Sequence, residues 1–352
     1  MRIKKLQKEL IKNNIDLVLF YNKEDTPNSN MMYFSNYPGI GYLIITKKKS
    51  FLFIPEYEKN KLKNTKIEVY FSEKRKYLID QVKEKLSNFN IKKIAIEENK
   101  LFVSTFKQIK KRLKGRYFDI SNICQTIRMT KDEQEITYLK HACSITDKIF
   151  SNIIKNFKKF KYEKDVKDFI KKELEKYNCE ESFPPIAASA NNSSNVHYFG
   201  NDKIKKGFFM LDFGAKYHGY PADMTRMLYL GKPKKKEMSD YKLMLETMNE
   251  AEIKANSVKT FGQIDKFVRD KLSKYNYEVP HLMGHGVGYE IHEAPAVYFE
   301  DKTNIQNNVV FTIEPGIYFE NKYGIRIEDT VMIDNKKLTI LTKSTKELII
   351  IN

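Results

Sequence analysis

The stretch MLDFGAKYHGYPADMT, residues 210–225, sets two aspartates, Asp212 and Asp223, in apolar runs on either side of the turn-like segment KYHG. An ionised carboxylate left unpaired among apolar side chains is costly, so a hairpin that carries two needs a reason. Taking Tyr217–His218 as the centre of the turn makes the two aspartates equidistant from it. An antiparallel pairing in that register sets them opposite each other, with Cβ atoms about 4.5–5.5 Å apart. One of two carboxylates that close is driven neutral unless a positive charge sits between them, and a bound cation resolves the conflict.

The same device recurs downstream. VVFTIEPGIYF (309–319) carries Glu314 and YGIRIEDTVMI (323–333) carries Glu328, with polar residues and glycine separating the runs. Between the two acid-bearing hairpins lies HLMGHGVGYEIHEAP (281–295), with His281, His285 and His292. Its glycines leave space beside the His285 imidazole and let backbone approach closely. Four carboxylates and one histidine, with no thiolate, form an oxygen-rich donor set. It suits a pair of divalent ions, manganese or cobalt first, with zinc and iron as alternatives. Two such ions can hold a hydroxide between them and polarise a scissile carbonyl.

The rest of the chain frames this set. Its 352 residues allow two domains with ample core, and 41% hydrophobic residues mark it as globular. Residues 1–125 alternate strand and helix patterns and form an α/β domain. IDLVLFY, the pair in GYLIITKKKSFLFIP and KKIAIEE read as strands. RKYLIDQVKEKLSNFN and FVSTFKQIKKRL read as helices. No glycine-rich phosphate loop occurs there. From Thr130 a long helix is expected, with Thr130 as N-cap and Glu133 completing a capping box. A helix at about 162–177 and a strand-rich region follow. Two more helices, KEMSDYKLMLETMNEAEIKAN and FGQIDKFVRDKLSKYN, precede the closing strands. The domain boundary is set at 125/126.

The net charge of +18 is almost all lysine, spread along the chain, while arginine, the better residue for bidentate phosphate contacts, is rare. A specific nucleic-acid function is therefore not expected. No apolar run is long enough to span a membrane. The charged start MRIKKLQKEL lacks a signal-peptide pattern. Cys124, Cys143 and Cys179 form no disulfide framework, so a cytoplasmic protein with reduced thiols is expected.

Taken in order, Asp212, Asp223, His285 in HLMGHGVGYEIHE, Glu314 in IEPG and Glu328 in RIED resemble the pita-bread metallopeptidases, the family of aminopeptidase P, prolidase and methionine aminopeptidase. NMMYFSNYPGIGYLII resembles the amino-terminal domain of the creatinase, prolidase and aminopeptidase P branch, and IRMTKDEQEITYLKHA its interdomain segment. The resemblance implies an α/β first domain (1–125) and an α+β pita-bread catalytic domain (126–352). It implies that Asp212, Asp223, His285, Glu314 and Glu328 bind two metal ions. It further implies that His197 lines the substrate side and moves protons. His292 would contact the substrate carbonyl, His281 the proline pocket, and Arg326 would orient the site. Glu290 and Glu293, flanking His292, receive no role. The expected reaction is metal-dependent cleavage of an Xaa-Pro bond at the amino terminus of a peptide, by a homodimer. The alternative is a catalytically silent module that holds a peptide in the same pocket.

Overall fold

A computed structural model describes residues 2–63 and 65–352. The chain divides into two compact units, Met1–Ile127 and Arg128–Asn352.

In the first unit, α1 (Arg2–Lys12) buries Leu6 and Leu10, one helical turn apart. α2 (Ser29–Ser35) starts where the Asn28 side chain accepts a hydrogen bond from Met31 N–H at 2.8 Å. Six strands form one mixed sheet: β1 (Leu17–Asn22), β2 (Gly41–Thr46), β3 (Ser50–Ile54), β4 (Glu68–Phe71), β5 (Lys93–Ile96) and β6 (Arg116–Asp119), in the order β4-β3-β2-β1-β5-β6. The first three pair antiparallel, with the lysine-rich turn between β2 and β3. The others join parallel. Leu17 and Leu19 of β1 pack with Ile79, Val82 and Leu86 of α3 (Leu78–Leu86) and Ile109 of α4 (Val103–Arg112). The division between units falls within α5 (Ser121–Met129).

The second unit opens with α6 (Glu133–Asn156), whose N-cap is Asp132 and not Thr130. Asp132 Oδ1 accepts from Glu135 N–H at 3.0 Å, and Glu135 Oε2 accepts from Asp132 N–H at 2.9 Å. TKDEQE contains two overlapping capping-box patterns. Thr130 is drawn into an extended bridge with Val309, so the helix starts at the second. α7 (Glu163–Lys176) follows. β7 (Glu180–Glu181) and β8 (Ile186–Ser189) precede a long hairpin made of β9 (Gly207–Asp212), β10 (Ala215–Tyr217), β11 (Tyr220–Pro221) and β12 (Thr225–Leu230). After α8 (Lys235–Lys254) and α9 (Gly262–Ser273) come the short strands β13 (His285–Gly286) and β14 (Glu293–Ala296). A second hairpin comprises β15 (Val310–Ile313), β16 (Gly316–Phe319), β17 (Tyr323–Arg326) and β18 (Asp329–Asp334). The chain closes with β19 (Lys337–Ile340) and β20 (Ile349–Ile351). The main sheets run β20-β12-β9-β8 and β14-β13-β15-β18-β19.

β9 shows why its sequence is apolar throughout. Phe208 and Met210 pack with Tyr241, Met244, Met248 and Ile264 of α8 and α9. Phe209, Leu211 and Phe213 pack with Ile145, Ile149 and Ile153 of α6 and with Val166 and Ile170 of α7. The strand lies between two helical layers and alternates between them with period two.

Candidate active site

The first hairpin turns at His218–Gly219, both with positive φ (50° and 86°), and Tyr217 pairs with Tyr220. Two positive-φ residues make the tight turn that matches strand twist. The centre therefore lies one residue beyond Tyr217–His218, and the register shifts with it. Asp212 pairs with Thr225, not with Asp223, so the two aspartates are diagonal neighbours on the hairpin. This corrects the direct opposition expected from the sequence, and it keeps both acids together.

Each hairpin is broken at its acids. Asp212 ends β9, and Asp223 lies in the unpaired stretch before β12. Glu314 lies between β15 and β16, and Glu328 between β17 and β18. In the second hairpin one register runs through the break: Ile313 pairs with Asp329 and Gly316 with Arg326, which sets Glu314 level with Glu328. Their N–H groups leave the ladder. Glu314 donates to the Met283 carbonyl at 2.9 Å and Glu328 to the Thr225 carbonyl at 3.2 Å. The backbone of each hairpin is thus tied to a neighbouring segment where its carboxylates gather.

The carboxylates meet at His285. Asp223 Oδ2 is 3.4 Å and Glu314 Oε1 3.6 Å from His285 Nε2. Ligand-type atoms of Asp223, His285 and Glu328 lie within 4.8 Å of one another. His285 Nδ1 lies 3.2 Å from the Gly286 carbonyl; with Nδ1–H donating there, Nε2 turns its lone pair to the acids. Asp212 joins through Arg326, whose Nη2 donates to Asp212 Oδ2 at 2.6 Å.

Burial first, and then the charges of neighbouring acids, push the Asp223 and Glu328 carboxyls well above the usual carboxylate range. Asp212 is also raised by burial, though Arg326 pulls the other way. Asp212 Oδ1 is buried and has no hydrogen-bond partner among the described residues. A buried orphan oxygen on Asp212, together with acids crowded against the His285 imidazole, is the donor set a divalent cation satisfies. The residues present fit such a group.

Three threonines that sequence reasoning passed over hold the set. Thr225 Oγ1 accepts from Arg326 Nε at 3.0 Å and donates to Glu328 Oε2 at 2.7 Å. Thr312 Oγ1 accepts from His285 N–H at 3.1 Å and donates to Glu314 Oε1 at 3.3 Å. Thr330 Oγ1 accepts from Asp223 N–H at 3.1 Å and donates to the Asp223 carbonyl at 2.7 Å. Each reads in sequence as an ordinary strand threonine.

His292, His197 and His281 stand around this centre. The His292 ring meets His285 edge to face, with centroids 4.3 Å apart. Burial, then the field of His285, lowers the His292 pKa and favours its neutral form. His197 lies exposed on the loop after the 3-10 turn Ala190–Ser194, close enough to His292 to act on its charge. His281 has both ring nitrogens engaged: Nδ1 is 2.7 Å from the Leu282 carbonyl and Nε2 is 3.0 Å from the Tyr318 hydroxyl. Tyr318 in turn accepts from Arg326 Nη1 at 2.8 Å. Arg326 donating to Tyr318, Tyr318 to His281 Nε2, and Nδ1–H to Leu282 is a consistent set of donors. It fits the lowered pKa that burial gives His281.

Glu293, left without a role by the sequence, is buried beside His292. Its Oε1 accepts from Lys131 Nζ at 2.7 Å and its Oε2 from Arg128 Nε at 3.1 Å. Glu290 also accepts from Arg128, at 2.8 Å. Gly288 has no room for a Cβ, which would lie 1.9 Å from Glu293 Oε1.

A family model for the Creatinase/Prolidase N-terminal domain matches residues 2–130, and one for Metallopeptidase family M24 matches residues 137–335. The Xaa-Pro dipeptidase of Pyrococcus horikoshii is 32% identical over 99% of this chain and 98% of its own. The crystal structure of prolidase from Pyrococcus horikoshii superposes with a TM-score of 0.89 at 31% identity, covering 99% of each chain. That of the X-Pro aminopeptidase from Thermotoga maritima gives 0.88 at 30%, covering 98% of this chain and 100% of its own. The likeness spans both units and bears out the resemblance carried by the order of acids and histidine: the chain belongs to metallopeptidase family M24.

Proposed function

We propose that this chain is a divalent-metal-dependent peptidase that hydrolyses the bond between an amino-terminal residue and the proline that follows it. The observation that carries the reading is the convergence of Asp223, Glu314 and Glu328 on His285, with Asp212 joined to them through Arg326 and its Oδ1 buried and unpartnered among the described residues. The full set of five disfavours a silent binding module. Relatives named Xaa-Pro dipeptidase and X-Pro aminopeptidase supply the substrate class.

The five residues would hold two metal ions, manganese first, with cobalt, zinc or iron as alternatives. Ions bound there supply a nucleophilic water at neutral pH and a Lewis acid for the scissile carbonyl. Glu314 receives the proton of the attacking water. Neutral His292 offers an N–H to the carbonyl oxygen as charge develops on it. His197, or Glu314 with the proton it has received, delivers a proton to the leaving proline nitrogen, which must be protonated to depart as a secondary amine. His281, its nitrogens engaged, offers the proline ring an imidazole face. Arg326 fixes Asp212 and, through Thr225, Glu328. A homodimer in the cytoplasm belongs to the same reading. No helix among the described residues is long and apolar enough to cross a membrane.

The test is hydrolysis of Gly-Pro and Gly-Pro-Pro by metal-stripped protein and by protein reloaded with manganese. Metal-dependent cleavage is expected, and the preferred length assigns dipeptidase or aminopeptidase. No cleavage of either peptide with manganese bound overturns the substrate assignment.

A further inference from the structure

The loop that carries His197 is organised by one carboxylate outside the acid cluster. Glu163, the first residue of α7, is fully buried. Its Oε1 accepts from Ser189 N–H at 2.7 Å, the Ser189 hydroxyl at 2.8 Å and the Asn192 amide at 2.9 Å. Its Oε2 accepts from the Tyr198 hydroxyl and from Asp202 N–H, both at 2.8 Å. Its own N–H donates to the Asp202 carbonyl at 2.9 Å. A carboxylate in the first turn of a helix ordinarily serves that helix. This one gathers five donors from a segment 26 to 39 positions downstream. They account for polar residues in SANNSSNVHYFG that the catalytic reading leaves unused.

The loop is held on its other side as well. Ser193 Oγ accepts from Gly324 N–H at 2.9 Å, and a Cβ on Gly324 would lie 2.1 Å from the Ser193 carbonyl. Arg326 Nη1 donates to the Val196 carbonyl at 3.3 Å, one residue before His197. The loop is thus gripped between the start of α7 and the strand bearing Arg326. The His197 side chain is exposed, so its ring is placed by the backbone on which it stands.

We propose that Glu163 is a positioning residue for His197: its buried carboxylate fixes the Ala190–Asp202 loop and thereby sets the reach of the imidazole to the leaving nitrogen. The kinetic part of this proposal rests on the peptidase reading; the anchoring part rests on the geometry alone. Glu163→Gln keeps the shape but turns an amide N–H toward fixed donors in either orientation. One orientation faces Ser189 N–H and the other Asp202 N–H, so the loop must shift.

In the manganese-loaded enzyme, Glu163→Gln should lower kcat about tenfold to a hundredfold, the scale of a misplaced proton donor, with manganese affinity unchanged. In a His197→Ala background the same substitution should cost nothing further, because both changes remove one device. Independent losses in the double variant overturn the proposal. Tyr198→Phe removes a single donor and should give a smaller loss of the same kind, which keeps the test open if Glu163→Gln does not fold. Amide hydrogen exchange supplies a readout independent of activity. Exchange across 190–202 should quicken in Glu163→Gln while α8 is unaffected. Unchanged exchange there overturns the anchoring whether or not the chain is a peptidase. Faster exchange in a protein whose parent cleaves no Xaa-Pro bond upholds the anchoring and overturns the function.

Discussion

Arg326 Nη2 donates to Asp212 Oδ2 at 2.6 Å, and the two side chains form a buried ion pair within the acid cluster. The same guanidinium reaches Thr225 Oγ1, the Tyr318 hydroxyl and the Val196 carbonyl. Its fork therefore ties one acid of each hairpin to the loop before His197. It also offsets one negative charge among four and leaves Asp212 Oδ1 free for a cation. Lysine would carry the charge but not the fork. Arg326→Lys is expected to weaken manganese binding about 10–100-fold, the usual cost of losing a partner that orients a ligand. Titration calorimetry on metal-stripped protein measures it. Affinity equal to the parent protein's would mean that charge alone matters here.

The raised carboxyls of Asp223 and Glu328 make metal uptake and stability depend on pH. In the unfolded chain these groups ionise near about pH 4. In the metal-free fold they keep their protons to higher pH. The unfolded state therefore loses protons first as pH rises, and stability falls from about pH 4 upward until the folded groups ionise. His281 and His292, with lowered pKa, act in the opposite sense. Their contribution is fully present above about pH 6.5, the unfolded value, and is lost as pH falls from there through their lowered folded values. Glu328→Gln removes one acid and leaves the histidines, so metal-free Glu328→Gln should show a shallower decline on the alkaline side than the metal-free parent. Urea unfolding at stepped pH measures this. Manganese binding at neutral pH should release protons, visible as a binding enthalpy that changes with the buffer.

Much of this centre was legible in the residues. The order of acids, histidine and glycines was readable because each sits in an apolar run where an unpaired charge is anomalous. The register was not, although its signal was present. His-Gly is a favourable pair for a two-residue turn of positive φ, and centring on it pairs Asp212 with Thr225. The N-cap of α6 was misplaced because TKDEQE offers two equivalent patterns. Only the tertiary bridge of Thr130 to Val309 selects between them. Thr225, Thr312, Thr330, Tyr318 and Glu163 were beyond reach for a different reason. Each has a partner from another element, as Thr312 has in His285, so the local pattern does not mark them.

Glu293 draws its place from two cations, Arg128 and Lys131, all three side chains at most 1% exposed. Removing the shared acid takes from buried Lys131 its carboxylate partner and leaves Arg128 to Glu290, whereas removing Lys131 leaves Glu293 paired with Arg128. Glu293→Ala should therefore destabilise by about 3–5 kcal/mol, the cost of breaking a buried pair from one side. Lys131→Met should cost clearly less. Denaturant unfolding of the two variants decides the order. Equal losses would show that Arg128 does not compensate for the missing lysine.

Tyr318 occupies the middle of the donor path from Arg326 to His281, and burial pushes its hydroxyl up to about 12, so it stays a donor at neutral pH. Tyr318→Phe leaves His281 Nε2 without that proton and lets the ring take other orientations or tautomers. If His281 meets the proline ring with its face, the ring must be held still for the pocket to discriminate. The variant should lose about tenfold in kcat/KM for Gly-Pro-Pro, the scale of a lost buried hydrogen bond, and most of it should appear in KM. Manganese affinity should stay near that of the parent, because Arg326 keeps its bonds to Asp212 and Thr225. A loss confined to kcat would instead place Tyr318 with the proton-moving residues, and unchanged kinetics would free His281 from any part in holding proline.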